Sequence, residues 1–231
     1  MHILDNPIWA ALSTRHQPFA HAGVGALRYP RDIAPFLAIQ DARLIDAADL
    51  SALVAADETV FLVGPRPEAP DGWLVEALGC MAQMVCERRV VEPPGPVIVP
   101  LGSDHRDSVL ALTAIVYPHY FRTQTMALGR YFGIFEEGQL AAIIGERMAM
   151  PGFREVSAVC TAPGFTGRGL ARRLVTWLSN DNLARGETPF LHVSPRNERA
   201  KRLYEENGYR TRSELPFWSI RRSSDATGAE P

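Results

Sequence analysis

Two spacings of hydrophobic residues alternate along the second half of the chain and predict a mixture of strands and helices. Leu170, Leu174 and Leu178 recur at every fourth position, which is the spacing of one face of an α-helix ending near residue 184. Further helices are predicted from Asp104 and over 197–207. Shorter apolar or alternating runs predict strands at 97–99, 130–135, 140–148, 153–161, 190–193 and 211–221.

The first half of the chain carries weaker signals. Asp46 is a suitable N-cap for a helix that runs to about Val54, and residues 60–63 are a short strand candidate. Residues 73–86 fit either a strand or a helix, because periodicity alone does not separate the two. We find no motif with a recognisable chemistry in this half.

Proline and glycine mark the expected domain boundary. The run Pro93–Pro96 directly precedes an apolar strand, so we expect a boundary near residue 95. This predicts an N-terminal α/β region over 1–95 and a second domain over 96–222. Residues 223–231 contain no large apolar side chain and are expected to form a disordered tail.

The composition narrows the classes of partner. Of the 231 residues, 46% are hydrophobic and 22% are charged, which is typical of a soluble globular protein. The formal net charge of −2 provides no basic field, so we expect no nucleic acid partner. The N-terminus lacks a signal peptide pattern and no apolar run reaches the ~18 residues of a spanning helix, so we expect no membrane partner. Three scattered cysteines favour a cytoplasmic protein, and the six histidines show no metal-ligand spacing.

The segment Val159–Ala171 combines an apolar strand, a turn with glycines at 167 and 169, and the first turn of a helix. Such a turn directs several backbone N–H groups and a helix N-terminus at one point, which attracts phosphate. A dinucleotide site would require a third glycine at a fixed spacing, and that glycine is absent here. A tight connection that uses glycine only for its conformational freedom is the other interpretation.

A second motif lies between Asn197 and Tyr209 and reads Asn-x-x-Ala-x-x-Leu-Tyr-x-x-x-Gly-Tyr. One predicted helix and one predicted strand separate it from the glycine turn. Together the two motifs resemble the GNAT superfamily of acyl-CoA-dependent N-acetyltransferases over about residues 97–221, and most strongly over 153–210. The family's turn is commonly Arg/Gln-x-x-Gly-x-Gly/Ala, and Thr166 stands here where arginine or glutamine is usual. We therefore expect weaker or differently tuned cofactor binding.

The resemblance implies a fold and an activity. The fold would be α/β (α+β), with a mixed, mostly antiparallel, twisted central sheet flanked by helices, and an additional N-terminal half that is either a degenerate second copy or a substrate domain. The activity would be transfer of an acetyl or other acyl group from acetyl-CoA to a primary amine, by direct attack in a ternary complex. No metal is needed. A module that binds acyl-CoA as a sensor or scaffold, without catalysis, is the alternative.

The resemblance also implies which residues hold coenzyme A. The strand would present backbone groups to the pantetheine arm and the thioester, and the turn would hold the pyrophosphate. The implied set is Val159, Cys160, Thr161, Thr166, Gly167, Arg168, Gly169, Leu170, Ala171, Asn197 and Tyr204. Asn197 also fits a simple helix N-cap. Cys160 is expected to be a buried structural cysteine, because no histidine lies near it in sequence.

Three residues are candidates for proton transfer. Tyr204 matches the family's tyrosine near the cofactor sulfur, where it can give a proton to the departing thiolate, although it could simply pack in the helix. Glu155 and Glu146 are the candidates for the general base, and a structural pair with arginine or a water chain are the alternatives. His192, on the strand at 190–193, is expected to be a satisfied core histidine. The acceptor would be a small-molecule or peptide amine, and a homodimer is one option that the sequence does not decide.

Overall fold

The computed structural model describes residues 2–41, 45–116, 118 and 120–223. Most of the predicted tail, residues 224–231, lies outside the described residues. The chain divides into two compact units: Met1–Arg31, Pro35–Met81 and Glu214–Pro231 form the first, and Asp32–Ala34 with Ala82–Ser213 form the second. The compact units therefore do not divide at residue 95, and the domain ranges 1–95 and 96–222 stay a prediction.

The described residues contain five α-helices and eleven β-strands. The helices are α1 (Pro7–Leu12), α2 (Ala47–Leu53), α3 (Arg106–Val116), α4 (Leu170–Ala184) and α5 (Glu198–Glu206). The strands are β1 (His21–Ala22), β2 (Ala26–Arg28), β3 (Leu37–Ile39), β4 (Thr59–Val63), β5 (Trp73–Cys86), β6 (Val99–Leu101), β7 (Tyr131–Glu136), β8 (Gln139–Met150), β9 (Phe153–Thr161), β10 (Thr188–Val193) and β11 (Tyr209–Arg222). Short 3-10 helices lie at Ile3–Asp5, Gln17–Phe19, Ser103–His105, Thr125–Leu128 and Pro163–Phe165.

Strands β6 to β10, together with the parts of β5 and β11 that belong to the second unit, form a mixed, mostly antiparallel sheet in the order β11-β5-β10-β9-β8-β7-β6. Strands β6 to β9 pair antiparallel with their neighbours, β9 and β10 pair parallel, and β10 pairs antiparallel with residues 82–85 of β5. The predicted fold class is confirmed. The undecided segment 73–86 is a strand, and its last residues lie next to β10.

Hydrophobic side chains cover both faces of this sheet. On one face, Leu170, Leu174 and Leu178 of α4 pack in a cluster with Ala142 and Ile144 of β8. On the other face, a second cluster is formed by Leu101, Val109, Leu112, Tyr131, Ile143, Ala158 and Cys160. Neighbouring residues of β8 thus point to opposite faces, as strand geometry requires.

The first unit has a small core of its own. Strands β1, β2 and β3 form an antiparallel sheet, and β4 pairs with Phe217–Arg221 of β11. The Asp46 side chain caps α2 by accepting from the Ala48 N–H at 2.7 Å, as predicted. The apolar cluster of this unit includes Leu37, Leu50 and Val60. Among the described helices of the whole chain, none is long and apolar enough to cross a membrane.

Candidate active site

The sheet of the second unit opens between β9 and β10. Their described parallel pairing covers Thr188 with Phe153, Pro189 with Arg154, and Phe190 with Glu155. Beyond that point β9 continues to Thr161 and β10 continues to Val193. Two arms of the sheet therefore diverge after Glu155 and Phe190, and residues 157, 159 and 161 of β9 are partly exposed.

A β-bulge in β9 follows the point of divergence. Gly145 of β8 pairs with Ser157 and Ile143 pairs with Cys160, so two residues of β9 stand opposite one of β8. Ala158 in this bulge has a φ of 50°, a left-handed conformation that costs a non-glycine residue about 1–2 kcal/mol. The bulge resets which backbone groups of β9 point away from β8.

The hydrogen-bond register identifies the open backbone groups. The Ala162 N–H donates to the Ala141 carbonyl at 2.8 Å, and Cys160 pairs with Ile143. In an antiparallel ladder alternate residues bond to the same neighbour, so Cys160 directs its backbone groups at β8 while Thr161 and Val159 direct theirs at the opening. Of the three strand residues predicted to hold the thioester, Val159 and Thr161 fit that role and Cys160 does not.

Cys160 is a structural cysteine. Its side chain is buried in the cluster that packs against α3. Burial raises the pKa of the Cys160 thiol to about 12, so the nucleophilic thiolate is scarce at neutral pH. The sequence expectation for this residue agrees with its position.

The turn after β9 is open on the side of its glycines. Gly167 and Gly169 have φ values of 81° and 77°, which a side chain rarely adopts. A Cβ added at Gly164, Gly167 or Gly169 would meet nothing within 4 Å. Gly169 is the N-cap of α4 and offers no capping side chain, so N–H groups of the first turn at Leu170 and Ala171 face this space. These residues fit a pyrophosphate.

The side chains of the turn are mostly engaged with their own surroundings. The Thr166 hydroxyl donates to the Pro163 carbonyl at 3.2 Å. Arg168 donates to the Glu136 carboxylate at 2.8 Å, and its guanidinium lies 4.8 Å from the centre of the Phe165 ring. The groups that this turn leaves open to an anion are therefore mainly backbone N–H groups.

Tyr204 lies on the same side of the sheet as α4. Its side chain is 9% exposed and belongs to the cluster that includes Leu191 and Val193 of β10, with Val159 packed against it. The Tyr204 and Tyr209 ring centres are 5.8 Å apart. Tyr209 is the more enclosed of the two: its hydroxyl pairs with Ser179 at 2.7 Å, and burial raises its pKa.

Asn197 acts as a helix cap. Its Oδ1 atom accepts from the Ala200 N–H at 3.1 Å, at the start of α5. The simpler of the two sequence interpretations therefore accounts for this side-chain oxygen.

Glu155 is not placed to act as a general base. It is fully buried, and its carboxylate accepts from Arg147 Nε and a terminal Arg147 nitrogen at 2.8 and 2.7 Å and from His192 Nδ1 at 2.8 Å. Burial alone would raise the pKa of Glu155, but the Arg147 charge and these hydrogen bonds lower it to about 2. A carboxylate held this firmly as an anion does not take a proton from an amine at neutral pH.

Glu146 is also structural. It is buried and accepts a bidentate pair from Arg130, at 3.1 and 2.5 Å. Arg130 additionally binds Asp181 and Asn182 of α4, at 2.5 and 2.7 Å. Glu146 therefore helps to join β8 to α4, and the structural pair weighed against both glutamates describes them better than the base does.

Sequence reasoning missed a run of polar side chains that crosses the sheet. Arg147, Glu155, His192, Gln83 and Arg212 lie on the five adjacent strands β8, β9, β10, β5 and β11, and each bonds to the next. We call these five residues the polar chain. His192 was expected as a satisfied core histidine and is one. Gln83 carries no sequence signal, because its segment fits a strand or a helix and its partners are distant in sequence.

Comparisons with known proteins agree with this arrangement. Residues 131–218 match the family model described as FR47-like protein. Among the described residues, no group of three or more histidine, cysteine, aspartate or glutamate side chains could hold a metal ion. No curated protein matches the chain.

Solved structures provide the strongest comparison. A protein assigned to the GNAT family of acetyltransferases from Novosphingobium aromaticivorans is 32% identical, with a TM-score of 0.85 over 97% of this chain and 100% of that one. A GCN5-related N-acetyltransferase from Kribbella flavida is 16% identical, with a TM-score of 0.62 over 94% and 98% of the two chains. A GCN5-related N-acetyltransferase-like protein from Streptococcus suis is also 16% identical, with a TM-score of 0.60 over 93% and 94%. The last two show the fold alone, whereas the identity and coverage of the first show that the chain belongs to the GNAT superfamily of acetyltransferases.

Proposed function

We propose that this protein transfers an acetyl group from acetyl-CoA to a primary amine by direct attack in a ternary complex. The observation that carries the proposal is the juxtaposition of an open strand edge with an open glycine turn: β9 leaves its pairing with β10 after Glu155 and leads directly into the turn at 163–169. One element thus offers backbone groups to a thioester and, a few residues later, to a pyrophosphate. Acetyl-CoA supplies the acyl group in activated form, as a thioester.

Each part of the site has a separate task in this proposal. The N–H groups around Gly169 bind the pyrophosphate at the N-terminus of α4, where the helix dipole favours an anion. The Thr161 and Val159 N–H groups face the opening: one of them polarises the acyl carbonyl, an effect often worth about 3 kcal/mol, and the other binds the pantetheine arm. The amine nitrogen bonds to the acyl carbon as the carbon–sulfur bond breaks. The Tyr204 hydroxyl gives a proton to the departing thiolate.

No side chain is proposed to accept the proton that the amine loses. Glu155 and Glu146 are both buried and paired with arginine, so water is the proposed carrier. The same observation favours a second candidate function, in which the fold binds acyl-CoA as a sensor without turnover. The two candidates predict the same cofactor binding and different thiol release.

Two measurements, made one after the other, test the proposal. Calorimetric titration of the protein with acetyl-CoA is expected to show one binding site, and no binding at millimolar acetyl-CoA would exclude both candidates. A panel of small amines, amino acids and peptides with free amino termini is then assayed for release of free thiol. We expect at least one amine to stimulate release, and binding without any stimulated release would favour the sensor.

Replacement of Tyr204 by phenylalanine tests the proposed acid. We expect turnover to fall about 100-fold with nearly unchanged acetyl-CoA affinity, because the hydroxyl acts on the leaving thiolate and not on the bound cofactor. Tyr209→Phe is the matched control: it removes a hydroxyl bonded to Ser179 and should lower stability by about 1 kcal/mol without slowing turnover. Equal rates for Tyr204→Phe and the wild type would show that Tyr204 is not the acid.

A further inference from the structure

The polar chain bridges the two arms of the opening. Glu155 stands in the last β9–β10 pair, whereas His192 lies two residues beyond Phe190, where the arms have separated. Their hydrogen bond of 2.8 Å therefore joins the arms just past the end of the backbone pairing. The Glu155 and His192 side chains are 0% and 2% exposed, so water does not compete for this bond.

The hydrogens of the polar chain can be assigned from its geometry. Arg212 Nε can only donate, so the atom it meets at 2.6 Å is the Gln83 oxygen, Oε1. The Gln83 amide nitrogen therefore faces His192 Nε2 at 3.0 Å and donates to it. His192 Nε2 must then be unprotonated, and Nδ1 carries the hydrogen that is donated to Glu155.

In this assignment every hydrogen bond between neighbouring members of the polar chain joins a donor to an acceptor. On the far side, Glu155 stands opposite a β8 bulge at Arg147 and Met148, and its carboxylate accepts from Arg147 and from the Met148 N–H at 3.3 Å. A second proton on His192 would place an N–H group against the donating amide of Gln83. The polar chain thus selects one protonation state of His192 and one spacing between the two arms of the sheet.

We propose that Gln83 is a positioning residue for acyl transfer. It comes from β5, outside residues 131–218 that match the family model, and it acts through His192 and Glu155. Its bond to His192 Nε2 holds the ring whose Nδ1–H binds Glu155, and this fixes the separation of β9 from β10 at the start of the opening that exposes the Val159 and Thr161 N–H groups. Part of the chain before residue 95 therefore contributes to the reaction geometry. This inference rests on the proposed function.

Two substitutions at Gln83 separate bonding from bulk. Gln83→Met keeps a similar length and volume but cannot donate to His192 or accept from Arg212. Gln83→Glu keeps the bond to Arg212 and turns the second oxygen into an acceptor, which a doubly protonated His192 can satisfy. Gln17→Met, at an exposed position of the first unit, is the matched control.

The variants are compared by three measurements on the full chain. Histidine ¹⁵N–¹H NMR reports which nitrogen of His192 carries hydrogen, with His192→Gln used to assign the signal. Calorimetry gives the acetyl-CoA dissociation constant. Thiol release with the most active amine of the screening panel gives kcat, and thermal unfolding confirms that each variant is folded.

We expect the wild type to carry hydrogen on Nδ1 of His192 alone. Gln83→Met should lower kcat about 10- to 100-fold while the acetyl-CoA dissociation constant stays within about twofold, because a small displacement of an arm misaligns the acyl carbon and leaves the glycine turn intact. Gln83→Glu should show hydrogen on both His192 nitrogens and recover most of the lost turnover. Gln17→Met should match the wild type in every measurement.

Several results would overturn the inference. Wild-type kcat in a folded Gln83→Met, turnover as slow in Gln83→Glu as in Gln83→Met, or hydrogen on His192 Nε2 in the wild type would each remove the positioning role and leave the proposed function standing. No acetyl-CoA binding by the wild type would remove both together. If Gln83→Met does not fold, Gln83→Glu decides: wild-type turnover with a doubly protonated His192 supports the role, and a large loss overturns it.

Discussion

The polar chain and the glycine turn lie at the two ends of the open part of β9, and they use different hydrogen-bonding groups. The turn offers backbone N–H groups around open glycines. The polar chain uses side chains, each bonded to the next and buried at its centre. Backbone donors are present whatever the side chain, so we expect the turn to bind the proposed cofactor with Thr166 in place of arginine or glutamine. Each member of the polar chain depends on its neighbours and has no such freedom.

Removal of one charge from the polar chain should produce the largest effect. Arg147→Leu leaves the Glu155 carboxylate buried without its main counter-charge, so we expect the free energy of unfolding to fall by about 3–5 kcal/mol. Urea unfolding monitored by circular dichroism measures the change. Arg31→Leu, which breaks an exposed ion pair with Asp57, is the control and should leave the free energy of unfolding nearly unchanged, because water screens this pair. A similar loss of unfolding free energy in both variants would mean that burial of the polar chain does not matter for stability.

Acidic conditions should remove the stabilisation that the Glu155 carboxylate provides within the polar chain. The pKa of Glu155 is lowered to about 2 in the folded protein, so the unfolded chain takes up this proton more readily. The stabilisation is therefore complete above the unfolded pKa, near 4.5, and is lost as the pH falls from there towards 2. Unfolding measured across this pH window should have a shallower pH dependence in Glu155→Gln than in the wild type. Identical slopes would contradict the assignment.

Alanine at Gly169 should affect the turn in a different way. Gly169 and Gly152 both have a φ of 77°, and a Cβ at either would meet nothing within 4 Å. Gly169→Ala and Gly152→Ala should therefore each lower the free energy of unfolding by about 1–2 kcal/mol. Only Gly169→Ala should also lose acetyl-CoA affinity, by about tenfold, because its methyl group occupies the space of the phosphate. Equal acetyl-CoA affinity in the two variants would place the pyrophosphate elsewhere.

The smallest effect is expected at the position where the turn departs from its relatives. Thr166→Arg adds a positive charge beside the proposed pyrophosphate, so acetyl-CoA should bind a few-fold more tightly at low salt, with the gain shrinking as ionic strength rises. Thr166→Gln is the uncharged control. A gain that does not depend on salt would point to packing and not to charge.

The glycine turn could be predicted from the sequence because it is a local structure. The strand at 153–161, the turn with its two glycines and the helix from 170 follow one another within about twenty residues. The same holds for the Asp46 cap and for α5 with its Asn197 cap. Each depends on conformational preferences that neighbouring residues decide among themselves.

The glutamates show where such reasoning ends. Their positions on strands near the opening were predictable, but a charged residue in a strand has the same pattern whether it is a base or a structural partner. Arg147 and His192 decide the matter for Glu155, and Arg130 decides it for Glu146. Likewise the backbone direction of Cys160 follows from the bulge at Ala158, which shifts the register by one residue.

The sequence by itself determined the order of strands and helices in the second half, the glycine turn and the membership of the GNAT superfamily, since these depend on periodicity and on short motifs. The tertiary structure alone decided which strand lies next to β10 and which side chains form the polar chain. His192 is 37 residues from Glu155 and 109 residues from Gln83. Such partners meet only when the sheet assembles, because pairing between distant strands is chosen by the whole core and not by the segments themselves.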